Sequence, residues 1–325
     1  MRRPIISATI TNYNYGKFIG KAIESVLKQT FTNFELIIVD NASTDNSLSV
    51  IKQYVEQDSR IILIEHKENK GHIYSLREAC DLTQGLYRVH IDADDWIIDP
   101  CAFELQLALL EHDPDIIFVF SAVTLFESDH KCVLVSSAYD HDTVQSGENA
   151  IEIILNLSVA HSGPMIRMGA YREAGGYDNS FIHATDLKLW HDLCIQGNVG
   201  YIDQSLYATR QHDLSLSKSA TIQILQEDAL RLVDLVFSGP LAKNMHNPGS
   251  LKRRVIRKLL THYSTQLAFS GQYLAAWQAY WVNLKLRPIE TLLQRQTFVL
   301  AVRTLLGANG YTALAKLRTN ISHKK

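Results

Sequence analysis

Cysteine is scarce in this chain, four residues in 325, and Cys80, Cys101, Cys132 and Cys194 stand far apart with no CxxC pair. That spacing argues against a zinc ribbon or a disulfide framework, so buried free thiols in a reducing compartment are expected. Proline and glycine are also few, 7 and 16 residues, and they are scattered, which leaves no low-complexity linker. No internal repeat stands out. Apolar runs stay well short of the roughly 20 residues that a spanning helix needs, the best being Ile116 to Phe126. The Met1-Arg2-Arg3-Pro4 start is basic, but the apolar stretch Ile5 to Ile10 runs straight into Asn12-Tyr13-Asn14. It reads as a first strand rather than a signal peptide, and a cytoplasmic enzyme is expected. No GxGxxG follows that strand and no GxxxxGK[ST] occurs anywhere, so a dinucleotide dehydrogenase and a P-loop NTPase both lose support.

What is present is a globular composition, 46% hydrophobic and 20% charged, long enough for one large domain and an appendage. Apolar β-rich runs at Ile5–Ile10, Phe34–Val39, Ile61–Glu65, Leu86–Ile91 and Ile116–Phe120 read as strands. Helical spacing separates them: Ile19, Ala22, Ile23, Val26 and Leu27; then Leu48, Ile51, Tyr54 and Val55; then helices over about 73–82 and 102–111. This alternation predicts an α/β fold with a doubly wound, mainly parallel sheet flanked by helices. Beyond Phe120 a hairpin through Val123 and Val133–Val135 is expected, then a helix near Glu148–Leu157. From about Thr221 the chain reads helical to its end, which sets a catalytic domain over 1–220 and a C-terminal helical extension over 221–325.

The densest chemical signal is Ile91-Asp92-Ala93-Asp94-Asp95-Trp96, three carboxylates in four positions at the end of an apolar strand. Such a cluster repels itself unless a cation neutralises it. Mg²⁺ or Mn²⁺ suits carboxylate oxygens and shares its coordination sphere with substrate phosphates. A metal–diphosphate site at a strand's carboxyl end follows, where ligands bind in open α/β sheets. An acidic turn capping the next helix is the alternative.

Four blocks, taken in order, are similar to the family 2 glycosyltransferases of the GT-A fold, which use nucleotide sugars and invert the anomeric centre. They are Thr9-Ile10-Thr11-Asn12-Tyr13-Asn14; Glu35 to Val39 with Asp40-Asn41-Ala42-Ser43-Thr44-Asp45; the acidic cluster behind Asn69-Lys70-Gly71 and Gly85-Leu86-Tyr87; and Gly175-Gly176-Tyr177-Asp178 with Thr185-Asp186 and Arg210-Gln211-His212. The resemblance covers roughly residues 4 to 217. It implies that Asp40 binds the nucleobase in a pocket lined by Thr11, Asn12 and Tyr13, the alternative being that Asp40 caps the turn before Asn41-Ala42-Ser43. It assigns Asp94 to the metal, Asp92 to the metal or the ribose, and Asp186 to the catalytic base, a helix cap being the alternative for Asp186. His212 becomes a further metal ligand or diphosphate contact, or a structural histidine, and Arg210 a contact to the leaving phosphate. Asp95 either orients its neighbours or caps the next helix, and Trp190 belongs to the core or to the acceptor pocket.

Three departures from the family pattern bear on details. Thr185 stands where the family often has Glu, Asp192 where it often has Arg, and Leu76-Arg77 where it has Arg-Asn. The nucleotide-contacting arginine is therefore lost, or displaced by one residue to Arg77. The expected activity is metal-dependent transfer from a nucleotide sugar, a UDP-sugar, to a hydroxyl of a glycan or lipid-linked glycan in bacterial surface polysaccharide synthesis. Two rivals remain: a sugar-nucleotide pyrophosphorylase and a non-catalytic glycan- or partner-binding module. From Ser250 to Lys325 there are 13 Lys and Arg against one acidic residue, Glu290, while the first 249 residues carry −14. This split points to an appendage facing an anionic membrane, with cationic helices near 251–260 and 292–306, or to helices whose apolar faces pack. Nucleic acid is not an expected partner.

Overall fold

The computed structural model describes residues 3–128, 131–155, 162–181, 184–210 and 222–269. His212 and the second cationic helix near 292–306 lie outside the described residues. By compactness the chain divides into two units, Met1–Ser219 with Lys243–Met245, and Ala220–Ala242 with His246–Lys325.

In the first unit, four strands form the parallel half of one sheet: β1 (Ile6–Asn12), β2 (Phe34–Asp40), β3 (Ile61–Glu65) and β4 (Tyr87–Asp92). Every residue of β1 and β2 is buried, as expected for strands covered on both faces. Helices α1 (Ile19–Leu27), α2 (Ser47–Gln57) and α3 (His72–Asp81) make the connections. On α1 the buried residues are Ile19, Ala22, Ile23 and Val26, the face set by their 3–4 residue spacing.

The sheet continues through β5 (Trp96–Ile97), β6 (Ile116–Ser128), β7 (Lys131–Ser136), β8 (Thr143–Gln145), β9 (Met165–Arg167) and β10 (Asn198–Arg210). The order is β3-β2-β1-β4-β9-β6-β10-β5, with β7 on β6 and β8 on β10. β9 is antiparallel to both β4 and β6, and β10 is parallel to β6, so the six longer strands of the main path run one way. Strands β5, β7, β8 and β9 run the other. Helix α4 (Ala102–His112) leads into β6, and α5 (Gly147–Leu155), α6 (Met168–Glu173) and α7 (Thr185–Cys194) complete the described helices of this unit. Two expectations need extending. β6 does not stop at Phe120 but runs on to pair with β7, with Leu125 opposite Leu134. Of the cysteines, Cys80 and Cys194 are buried, but Cys101 is half-buried and Cys132 is exposed on β7.

In the second unit α8 (Ile222–Ser238) packs against α9 (Pro248–Phe269). Leu232, Val233 and Val236 on α8 and Leu251, Val255 and Leu259 on α9 are buried, while Arg253, Arg254 and Lys258 are exposed. Lys252 Nζ pairs with Asp234 Oδ1 at 2.8 Å. Among the described residues no helix is long and apolar enough to cross a membrane.

Candidate active site

Parallel pairing sets the expected nucleotide-binding residues side by side at one sheet edge. Asn12 is in register with Asp40, and Thr11 with Asp92. Asp40 is 2% exposed, and a buried carboxylate must have its lone pairs met. Its Oδ1 accepts from Asn12 Nδ2 at 2.8 Å and Ser43 Oγ at 2.7 Å, and its Oδ2 accepts from the Ser43 backbone N–H at 3.0 Å. That closes the turn after β2, where Ala42 adopts φ 62. Two polar atoms beside this cage, Thr11 Oγ1 and Asn12 Oδ1, are buried with no hydrogen-bond partner. Tyr13 is exposed next to them. A second tier braces the turn: Asn41 Nδ2 donates to Asn69 Oδ1 at 2.9 Å, and Asn41 Oδ1 accepts from the Lys70 N–H at 2.9 Å and bonds His66 Nδ1 at 2.9 Å.

The acidic cluster follows directly from β4. Asp95 N–H donates to the Asp92 carbonyl at 3.0 Å, which folds the three carboxylates into one tight turn. Asp92 and Asp94 stay half-buried, with Asp92 Oδ1 3.2 Å from His90 Nε2 and the Asp92 N–H donating to Ser162 Oγ at 3.1 Å. Asp95 is different. It is 4% exposed, and its oxygens accept from the Arg210 N–H at 3.0 Å and Thr209 Oγ1 at 3.3 Å, so it fastens the turn to the end of β10. Burial, and then the charges of Asp92 and Asp94, push its carboxyl well above the usual range. Burial and the same three aspartates push the Tyr15 hydroxyl up.

Arg210 has a larger part in this turn than the sequence suggested. Its Nε donates to the Asp94 carbonyl at 3.2 Å, and its guanidinium lies 4.6 Å from the Phe18 ring and 4.9 Å from Trp96. Lys21 Nζ sits 3.4 Å from the same Trp96 ring. Cations stacked on these aromatics bring positive charge next to the carboxylates. Arg77 is exposed on α3, and its Nη1 donates to the Tyr177 carbonyl at 3.0 Å.

Asp186 lies in the first turn of α7, half-buried, at the helix end where a carboxylate is favoured. The approach to α7 runs through Gly175 and Gly176, both left-handed at φ 80 and φ 72, and Thr185 Oγ1 donates to the Phe181 carbonyl at 3.1 Å. Asp192, where the family often has Arg, bonds Lys188 and His191. Trp190 is a core residue, 1% exposed and stacked on Phe118 at 5.1 Å.

Among the described residues no group of three or more His, Cys, Asp and Glu side chains is placed to hold a metal by itself. The donors present still fit a hard divalent ion. Such ions are commonly held by one or two carboxylates together with substrate phosphates, and the half-buried Asp92 and Asp94 supply that number. Sequence reasoning passed over Arg88 and His90. The signal was there, since Arg88, His90 and Asp92 alternate along one face of a strand that is otherwise apolar.

Comparison with known proteins agrees with these motifs. The chain is 28% identical over 215 residues to an uncharacterized glycosyltransferase of Haemophilus influenzae, covering 64% of this chain and 66% of that one. It is 27% identical over 238 residues to the chondroitin synthase of Escherichia coli, covering 71% of this chain but only 33% of the synthase. Among solved structures, the Pyrobaculum calidifontis mannosyltransferase PcManGT, in complex with GDP-Man and Mn²⁺, superposes with a TM-score of 0.58 at 17% identity, covering 94% of this chain and 88% of that one. This last likeness is one of fold, the GT-A fold implied by the sequence motifs. The family model described as Glycosyl transferase family 2 matches residues 7–173, more than half of the chain, and the protein therefore belongs to that family.

Proposed function

We propose that the protein is a metal-dependent, inverting glycosyltransferase that moves a sugar from a UDP-sugar to a hydroxyl of a glycan or lipid-linked glycan in bacterial surface polysaccharide synthesis. The observation that carries the reading is the sheet edge where Asp40, Asp92 and Asp94 stand beside the buried, unpaired Thr11 Oγ1 and Asn12 Oδ1. Native proteins rarely leave buried polar atoms unmet, so this edge is built for a polar ligand.

Asp40 has both lone pairs of Oδ1 in use and one of Oδ2. It can accept one further donor, which suits the single ring N–H of uracil better than the paired donors of guanine. Asp92 takes the ribose or shares the metal. Asp94 holds Mg²⁺ or Mn²⁺, with His212 a further candidate ligand. When bound, that ion supplies charge neutralisation for the departing diphosphate. Arg210 holds the Asp94 backbone in place and adds a cation beside the leaving group. Asp186 removes the proton of the acceptor hydroxyl as it attacks C1 from the face opposite the diphosphate.

The acceptor class rests on the likeness to the chondroitin synthase and on the cationic second unit. Because Leu251, Val255 and Leu259 of α9 are buried, attachment of this part of the helix to the inner face of the cell membrane would be electrostatic, through Arg253, Arg254 and Lys258. Calorimetry of UDP binding with and without Mn²⁺ tests the reading. Micromolar, Mn²⁺-dependent affinity is expected; no binding under either condition favours the non-catalytic module.

A further inference from the structure

Arg88 is fully buried on β4, four positions before Asp92. Its Nε donates to Thr9 Oγ1 at 3.0 Å and its Nη1 to the Tyr177 hydroxyl at 3.1 Å, while Nη2 is buried without a partner. Neither acceptor is a carboxylate. A guanidinium sunk in the interior on two neutral hydroxyls is costly for the fold, so a packing role alone explains it poorly.

Its partner Tyr177 is equally enclosed, 1% exposed, and is held at both ends. The hydroxyl is held by Arg88, and the backbone carbonyl accepts from Arg77 Nη1 at 3.0 Å. Tyr177 follows two left-handed glycines, and a Cβ at Gly176 would stand 2.7 Å from the Tyr171 hydroxyl, so the turn tolerates little change. Burial pushes the Tyr177 hydroxyl up to about 12, against the lowering charge of Arg88, so it remains a neutral phenol. Asp186 follows in the first turn of α7.

We infer that Arg88 and Tyr177 are positioning residues of the reaction: their contact fixes the double-glycine turn against β4, and so sets where Asp186 stands relative to Asp92 and Asp94. The inference rests on the proposed role of Asp186 as base. Arg88 acts from beneath the sheet edge and touches no substrate. Small displacements of a base are felt in turnover far more than in ground-state binding, because the proton moves only in the transition state.

The test uses the full chain with UDP-sugar and Mn²⁺. Tyr177→Phe removes one oxygen and should lower kcat at least tenfold while donor KM and the Mn²⁺-dependent Kd for UDP stay within twofold. Arg88→Lys should retain more turnover than Arg88→Met, and the double variant Arg88→Met/Tyr177→Phe should be no slower than Arg88→Met alone, since both changes break one contact. Should Arg88→Met fail to fold, Tyr177→Phe, checked by thermal melting, carries the test. Wild-type kcat in Tyr177→Phe, or a loss shared equally between kcat and UDP affinity, overturns the inference while leaving Asp186 as base. Wild-type turnover in Asp186→Asn withdraws the base assignment, and this inference with it.

Discussion

Replacing Asp40 with Asn changes neither size nor shape, yet it removes the charge and one acceptor from a carboxylate that meets three donors at 2.7–3.0 Å. If the new amide nitrogen takes the Oδ1 position, it faces the Asn12 side-chain NH₂. If it takes the Oδ2 position, it faces the Ser43 backbone N–H. Either orientation leaves a buried donor unmet, worth about 1–3 kcal/mol, and weakens the remaining bonds by removing charge assistance, for a total of roughly 2–4 kcal/mol. For a unit of this size that is a fall in Tm of about 4–16 °C. The last lone pair of Oδ2, proposed to receive the base N–H, loses its charge as well, so UDP should bind about 10–100-fold more weakly. Differential scanning fluorimetry reads the first quantity and calorimetry the second. An unchanged Tm would refute the cage argument, and an unchanged Kd would remove Asp40 from the nucleotide site.

Asp94→Asn should abolish turnover and Mn²⁺-dependent UDP binding while circular dichroism stays that of wild type; wild-type affinity would sink the metal assignment. Asp186→Asn should keep donor binding but lose roughly 10²–10⁴-fold in kcat, the usual contribution of a positioned acid–base group. A collapse of donor affinity instead would move Asp186 to the nucleotide site. Arg210→Ala takes away the Nε bond to the Asp94 carbonyl and the stack on Phe18 and Trp96, so both Mn²⁺ affinity and kcat should fall, with excess Mn²⁺ restoring part of the rate. Equal Mn²⁺ titration curves for variant and wild type would show that the turn holds its shape without it. The full chain should co-sediment with anionic but not neutral vesicles and release at high salt, at about 1 kcal/mol per exposed cation; equal partitioning after Arg253, Arg254 and Lys258 are changed to Gln would leave α9 with a packing role.

Much of the first half of the fold was legible because hydrophobic period and strand length agree there. β3 appears at Ile61–Glu65 as read, and α3 and α4 lie within one residue of their expected ends. β9 was illegible. Three residues cannot display a period, and Met165-Ile166-Arg167 gains strand geometry only by filling the gap between β4 and β6. The long β6 was cut short in the reading because its outer half pairs with β7, a partner that no local pattern within the strand reveals. At the candidate site, Asp40 and the acidic cluster announce themselves as carboxylates at strand ends. The residues that hold them do not. Arg210 reaches Asp94 across 116 positions, and Arg88 reaches Tyr177 across 89, and such pairings are decided by sheet order rather than by any local pattern. Arg77 illustrates the limit of motif alignment, since a shift of one residue on a helix turns a side chain by about 100°, and in this structure its Nη1 meets the Tyr177 carbonyl.

The central claim is that this sheet edge transfers a sugar from a nucleotide sugar with a divalent metal. The most direct measurement is product release from a panel of UDP-, GDP-, dTDP- and CDP-sugars, with Mn²⁺ and with chelator, using wild type and Asp94→Asn. The account predicts nucleoside diphosphate, highest with a UDP-sugar, released by wild type only when Mn²⁺ is present and not by Asp94→Asn. Release of pyrophosphate, or equal release in the presence of chelator, would contradict it.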